Sequence, residues 1–184
     1  MKSKKRVLTL LTIIVVFLIS NTSYITFNCN NGNHLKPQKK DQIQIKRSGT
    51  WNLTGSPILI DDLDVNLNWS KTALENDWCS GSGTWDNPYK IENVTIDGQS
   101  LNSCIEIKNS NVYFIIQNCI VYNSGPSDES GLYLFNVNNS RIINSTCSNN
   151  NNYNFGIRLS SSNNITIFGN VANNNYHGIL LENS

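Results

Sequence analysis

A chain of 184 residues, 39% of them hydrophobic, has room for one domain with extensions and for a slender core. Its net charge of +1 hides a division: residues 1–48 carry nine Lys/Arg and one acid, Asp41, whereas residues 49–184 carry five Lys/Arg and twelve Asp/Glu, a net of −7. An acidic body of this kind argues against nucleic acid as a partner.

At the N-terminus, Lys2, Lys4, Lys5 and Arg6 precede an apolar run from Val7 to Ile19, and the small polar stretch Ser20–Ser23 comes next. Basic, then apolar, then small and polar is the order of a secretory signal. The run of 13 residues falls short of the roughly 20 that span a bilayer. Residues 1–23 are therefore expected to be a signal peptide, or a signal anchor if Tyr24–Phe27 extends the run. The expected location is secreted or cell-surface, with membrane contact through this segment where it is not cleaved. Residues 24–48 read as a polar basic linker, since Lys36, Lys39, Lys40, Lys46 and Arg47 leave no apolar face to bury.

Residues 49–89 read as an N-terminal cap. Ser56–Asp62 predicts a strand ending in an acidic turn. Ser70 is placed to cap a short helix through Glu75, with Trp69, Ala73 and Leu74 on its inner side. Such an element would cover the open edge of a stack of strands beginning near residue 90.

From residue 90 to 184 the sequence repeats. Cys104-Ile105-Glu106-Ile107, Gly131-Leu132-Tyr133-Leu134, Gly156-Ile157-Arg158-Leu159 and Gly178-Ile179-Leu180-Leu181 align, with apolar residues at the second and fourth places. That alternation marks half-buried strands. Ile115, Ile142 and Ile167 each lie ten residues beyond Ile105, Leu132 and Ile157, and predict a second strand; Ile120, Cys147 and Ala172 lie five further on. Ile91 and Ile96 begin an earlier coil. The spacing Ile91, Ile115, Ile142, Ile167 is 24, 27 and 25 residues, which suits coils of a parallel β-helix. On this register, the length variation enters at one corner and makes a loop edge, with Asp128 and Glu129 in its longest member, Asn123–Ser130. Asparagine supplies 32 of the 184 residues, far above ordinary usage. Asn tolerates left-handed turns and its amide forms ladders between stacked positions, and Asn118, Ser145, Asn170 and Asn123, Asn150, Asn175 are read as two such columns. The predicted fold is thus an all-β, right-handed parallel β-helix of about four coils. Ser184 aligns with Ser162, Val137 and Ser110, so the last coil has no cap in this sequence. The expectation is a chain truncated there, or one that self-associates through that end by strand addition.

The unit Asn163-Asn164-Ile165-Thr166-Ile167-Phe168-Gly169-Asn170, continuing through Asn174 to Leu181, resembles the right-handed β-helix repeats of the NosD-like and carbohydrate-binding/sugar-hydrolase group. Trp78–Gly83, Pro88-Tyr89 and Ile96–Gln99 resemble the entry segment of archaeal surface β-helix proteins. The resemblance implies the fold and says little of the activity. Its NosD side implies copper, but His34 lies in the linker, His177 stands alone and the only Met is Met1, so no metal or cofactor is expected.

Five cysteines in an exported chain leave one over. Cys79 and Cys104, flanking the junction of cap and coils, are the disulfide candidates, and Cys119 and Cys147 read as buried thiols within the coils. Seven N-x-S/T sequons occur, of which Asn144 and Asn164 face outward and are the better N-glycosylation candidates.

No catalytic residues are assigned. A glycosidase needs two carboxylates across the scissile bond, roughly 5–10 Å apart. Asp128 and Glu129 diverge from one loop, Glu106 and Glu182 are read three rungs apart in one outward column, and Arg141 and Arg158 lie away from the acids. Phe114, Tyr122 and Tyr133 are read as outward aromatics and are the glycan-contact candidates. The sequence therefore predicts a structural or adhesive extracellular module presenting its loop edge to a glycan or surface protein. The alternative is a fragment of a polysaccharide lyase or glycoside hydrolase with its catalytic coils beyond residue 184.

Overall fold

The computed structural model describes residues 49–126, 128–150 and 153–184. The predicted signal segment and linker, Cys29 and the sequon at Asn21 lie outside them.

Three parallel sheets wind through about four turns. The first holds β2 (Ile58–Asp61), β6 (Ile105–Ser110), the first half of β9 (Ser130–Ile143), β11 (Phe155–Ser160) and β13 (His177–Glu182). The second holds β4 (Tyr89–Glu92), β7 (Phe114–Gln117), the second half of β9 and β12 (Asn163–Phe168), with β3 (Cys79–Ser80) antiparallel on β4. The third holds β1 (Trp51–Asn52), β5 (Val94–Asp97), β8 (Ile120–Tyr122) and β10 (Thr146–Cys147).

The first sheet follows the predicted register. Ile58, Ile105, Leu132 and Ile157 stack inward, as do Ile60, Ile107, Leu134 and Leu159, all at most 4% exposed. Alternate positions on a strand face opposite ways, so one face of each strand builds the core. On β13, which has a strand neighbour on one side only among the described residues, Ile179 and Leu181 are 48% and 59% exposed.

In the second and third sheets the predicted register of one coil is corrected by a residue. Ile116, not Ile115, pairs with Ile91 and Ile142, and it is Ile116 that is wholly buried. Val121, not Ile120, pairs with Ile96 and Cys147, while Ile120 is 47% exposed. The cause is one extra residue between the sheets: Ser110 pairs with Val137 and Phe114 with Ser140, so the corner before β7 is longer by one. Corrected, the column Ile91, Ile116, Ile142, Ile167 has spacings of 25, 26 and 25. A slip of one residue reverses which side chains face the core. Length variation therefore enters at a second corner as well as at the loop edge.

The asparagine columns shift with it. Asn93, Asn118, Asn144 and Gly169 take left-handed φ at one corner, and Asn123, Asn149 and Asn174 at another. Among the described residues eleven of the fifteen positive-φ non-glycines are Asn, whose short amide lowers the cost of that conformation. The residue after each turn points inward. Ser145 Oγ accepts from Cys119 N and Asn170 Oδ1 from Ser145 N; Asn150 Oδ1 accepts from Ser124 N and Asn175 Oδ1 from Asn150 N. These amides fill space that glycines leave: a Cβ on Gly156 would lie 2.6 Å from Asn175 Nδ2 and 2.5 Å from the carbonyl oxygen of Gly178.

In the segment expected to form a cap, β1 and β2 pair in parallel with β5 and β6. Helix α1 (Trp69–Glu75) is capped by Asn68 rather than Ser70, its Oδ1 accepting from Lys71 N at 2.9 Å. Leu74 is not on the inner side but 74% exposed; Trp69 and Thr72 are buried, and Ala73 is packed against the core. Trp69 stacks on Tyr89 and lies tilted against Phe114, and its Nε1 donates to Ser110 Oγ, which donates to Asp62 Oδ2. The acidic turn is bonded to the end of β6 and to its own backbone. Asn109 donates to Asp61 and holds its carboxyl below the usual range, and Asp64 accepts from Asn66 N.

The disulfide candidates Cys79 and Cys104 are not bridged; both are buried thiols. Cys79 is in β3 against β4, whereas Cys104 Sγ is 3.3 Å from Tyr122 O at the corner between the third and first sheets. Burial raises the Cys104 thiol to about 12 and Cys119 to about 11, and raises Cys147 as well.

Candidate binding cleft

The three aromatic candidates do not converge, since each belongs to a different sheet. Phe114 faces the core at 1% exposure, because the corrected register turns it inward with Tyr89 and Ser140. Tyr122 is half-buried on the third sheet, paired with Asp97. Tyr133 does face outward, but the Arg158 guanidinium covers its ring at 5.1 Å and also lies 5.0 Å from Phe155.

At the loop edge the Glu129 carboxylate and the Asp128 backbone are engaged. Glu129 Oε2 accepts from Ser103 N at 2.7 Å and from Ser103 Oγ at 2.5 Å, and the Asp128 carbonyl accepts from Arg158 Nη1 at 3.1 Å. Arg158 is not remote from the acids: its Nε donates to Glu182 Oε2 at 2.8 Å. Burial works against that guanidinium's charge, but Glu182 together with Tyr133 and Asp128 outweighs it and the pKa is raised. Glu106 and Glu182 stand in different columns, Glu106 in line with Tyr133 and Arg158, Glu182 with Ser160 and Phe135. The sequon candidate Asn144 is exposed in a left-handed turn; Asn164, also exposed, donates through Nδ2 to Asn139 Oδ1 at 2.7 Å.

A concave surface lies on the second sheet. A cleft of about 350 Å³ is lined by Trp85, Tyr113, Ile115, Asn139, Arg141 and Asn164, among others. That is near the lower end of small-ligand pockets, about 300–1,000 Å³. Its floor is the outward column Ile115, Arg141, Thr166, adjacent rungs of β7, β9 and β12. One side carries Asn139 and Asn164, continuing a ladder in which Asn139 donates to Asn111.

The other wall is the segment between β3 and β4. Gly81 and Gly83 take φ of +99° and +75° there, a region closed to most side chains. A Cβ on Gly83 would also meet the Tyr89 ring at 2.6 Å. Ser82 N donates to Asn87 O, and Tyr113 N to Gly83 O, which fixes the loop to the coil. Ile115, although on the outward column, is only 6% exposed. Trp85 meets Tyr113 edge-on, centroids 5.3 Å apart, and remains 75% exposed.

The cleft therefore combines an open indole, amide groups in a row and a guanidinium. Aromatic faces take up the apolar faces of a flat ligand, while amides and Arg bond its polar rim. Trp85, Tyr113 and Arg141 were not among the sequence candidates. Arg141 would have emerged from the correct register as an outward neighbour of Ile115, but Trp85 lies outside the repeat and had no such signal. Among the described residues no group of three or more His, Cys, Asp and Glu is arranged to hold a metal ion.

Parallel strands wound into stacked turns around a core of Ile, Leu and Val define a β-helix. Residues 78–184 match the family model described as the right-handed β-helix region, and the chain belongs to that family. Neither the curated proteins nor the solved structures hold a significant match to the chain.

Proposed function

We propose that this chain is an extracellular β-helix module that holds carbohydrate in the Trp85 cleft, a structural or adhesive role rather than a catalytic one. The observation that carries the reading is the union, in one concavity, of the exposed Trp85 ring with the Asn139–Asn164 amides and Arg141. Sugars present apolar ring faces and a polar rim of hydroxyls, which these groups complement. The basic-apolar-polar order of residues 1–23 supports export. The lining contains no carboxylate, whereas glycoside hydrolysis uses a pair of them, so the cleft is equipped to bind. An N-linked glycan on Asn164 would fill the same space, and binding requires that sequon unmodified.

The test is a panel of immobilised oligosaccharides probed with the full chain and with Trp85→Ala. Trp85 is largely exposed, so its removal is expected to leave the thermal melt unchanged and to reduce retention at least tenfold. Equal retention of both proteins, or none by either, refutes the cleft as a carbohydrate site.

A further inference from the structure

Six of the seven sequons lie among the described residues, at Asn52, Asn68, Asn93, Asn138, Asn144 and Asn164. An enzyme that reads a sequon must reach two groups at once, the asparagine carboxamide and the hydroxyl two residues on. The fold encumbers most of these sites. Ser140, the hydroxyl partner of Asn138, is 2% exposed. Asn68 caps α1 through its Oδ1, and the middle residue of its sequon, Trp69, is buried. Asn93 is half-buried in its left-handed turn, with Val94 buried behind it. Asn144 is exposed, but its Oδ1 lies over Gly169, in the space a Cβ would take, and Ser145 is turned inward. Asn164 commits its Nδ2 to Asn139 Oδ1 at 2.7 Å.

Asn52 differs from all of these. It stands on β1, the edge strand of the third sheet, where Asn52 and Thr54 are both exposed while Leu53 between them packs against the core. Thr54 N donates to Asn52 Oδ1 at 3.0 Å, and Thr54 Oγ1 donates to the same atom at 2.7 Å. A backbone N–H can only donate, so the atom it meets is the amide oxygen, and Nδ2 is turned away from Thr54. That Nδ2 has no hydrogen-bond partner among the described residues. From this geometry we infer that Asn52 is the sequon the folded chain offers for N-glycosylation, with a polyprenyl-pyrophosphate-linked oligosaccharide as the donor. Nδ2 attacks C1 of the first sugar. The N–C1 bond forms, the C1–O bond to phosphate breaks with its electron pair leaving on the pyrophosphate, and one Nδ2 proton passes to the transferase. The edge position leaves room for so bulky a product. Asn52 is not among the residues lining the Trp85 cleft, so a glycan here leaves that cleft open. The inference rests on the export in the reading above and on nothing in the cleft.

The experiment takes the full chain, made in a host without N-glycosylation and purified folded. It is incubated with a single-subunit oligosaccharyltransferase that requires only N-x-S/T and with a polyprenyl-pyrophosphate heptasaccharide. A short sequon peptide in the same tube shows that the enzyme is active, and mass spectrometry of proteolytic fragments reads the occupancy of each site over time. The expected result is transfer to Asn52 at least tenfold faster than to any other described sequon. Thr54→Ser retains that transfer, whereas Thr54→Ala and Asn52→Gln abolish it at this site alone. When the chain is digested first, so that the fold is gone, the preference for Asn52 falls below threefold. Asn139→Gly removes the acceptor that holds Asn164, at a position with φ of +60° that glycine adopts freely, and raises transfer to Asn164 at least fivefold. The inference is overturned if another described sequon is modified first, or if the folded chain takes no glycan while the control peptide is consumed. It is equally overturned by a preference that persists in the digested chain, or by an Asn164 rate indifferent to Asn139→Gly. Transfer in vitro needs no export, so its failure bears on this site and leaves the export reading standing.

Discussion

Asn174 and Asn175 are the same residue type side by side, yet the fold assigns them opposite duties. Asn175 Oδ1 accepts from Asn150 N at 3.0 Å and from Asn150 Nδ2 at 3.1 Å, and its Nδ2 donates to Cys147 O at 2.8 Å. Asn150 is wholly buried, so Asn175→Ala strands its backbone N–H where water cannot replace the lost acceptor. A buried orphan donor costs about 1–3 kcal/mol, and with the other two hydrogen bonds lost the expected destabilisation is about 2–4 kcal/mol. Asn174 is exposed, at φ +55°, and donates to Asn149 Oδ1 at 2.9 Å. Asn174→Ala is expected to cost about 1–2 kcal/mol of left-handed strain, and Asn174→Gly nearly nothing. Urea unfolding followed by far-UV circular dichroism gives the stabilities, and hydrogen exchange at the Asn150 amide reads the lost acceptor directly. If Asn175→Ala is no more costly than Asn174→Gly and Asn150 stays equally protected, the inward ladder does not support the coil.

Leu134 is fully buried between Ile107 and Leu159, and Leu134→Ala should lower the unfolding free energy by about 2–5 kcal/mol; a loss below about 1 kcal/mol would mean that the rungs collapse to fill the gap. The buried thiols predict alkaline loss of stability. Cys104 and Cys119 ionise at about 12 and about 11 when folded, against a reference of 9.0, and Cys147 is likewise raised. With folded pKa values raised, their contribution is full below about pH 9 and is lost as pH climbs toward the folded values, by about 1.4 kcal/mol per pH unit for each thiol. In a Cys29→Ser background, the urea midpoint should therefore fall between about pH 8.5 and 10.5, and fall less steeply in Cys104→Ala/Cys147→Ala. The same slope in both proteins would show that the thiols are equally acidic folded and unfolded.

Much of the fold was legible because a solenoid writes itself into the sequence by repetition. Ile105, Leu132 and Ile157 and their neighbours two residues on have no way to be buried except by stacking, and their alternation declared the first sheet without ambiguity. The density of Asn was likewise interpretable, since left-handed turns and amide ladders are local demands. The phase of the second sheet was not. Ile115 and Ile116, like Ile120 and Val121, are adjacent apolar residues, and hydrophobicity does not say which of two neighbours points inward when a corner gains one residue. Pairing with β4 and β9 decided it, and that decision turned Phe114 from a surface aromatic into a core one.

The binding surface depended on tertiary structure still more. Ion pairing removed Arg158 and Glu182 from the set of free charges, Ser103 occupied Glu129, and the glycine-permitted loop brought Trp85 over a column formed by strands 25 and 26 residues apart. By itself the sequence determined what repeats, because repeated burial is a local pattern summed along the chain. Which outward side chains share a cleft, and which cations stay unpaired, was decided only when the coils stacked, because those properties belong to distances between rungs.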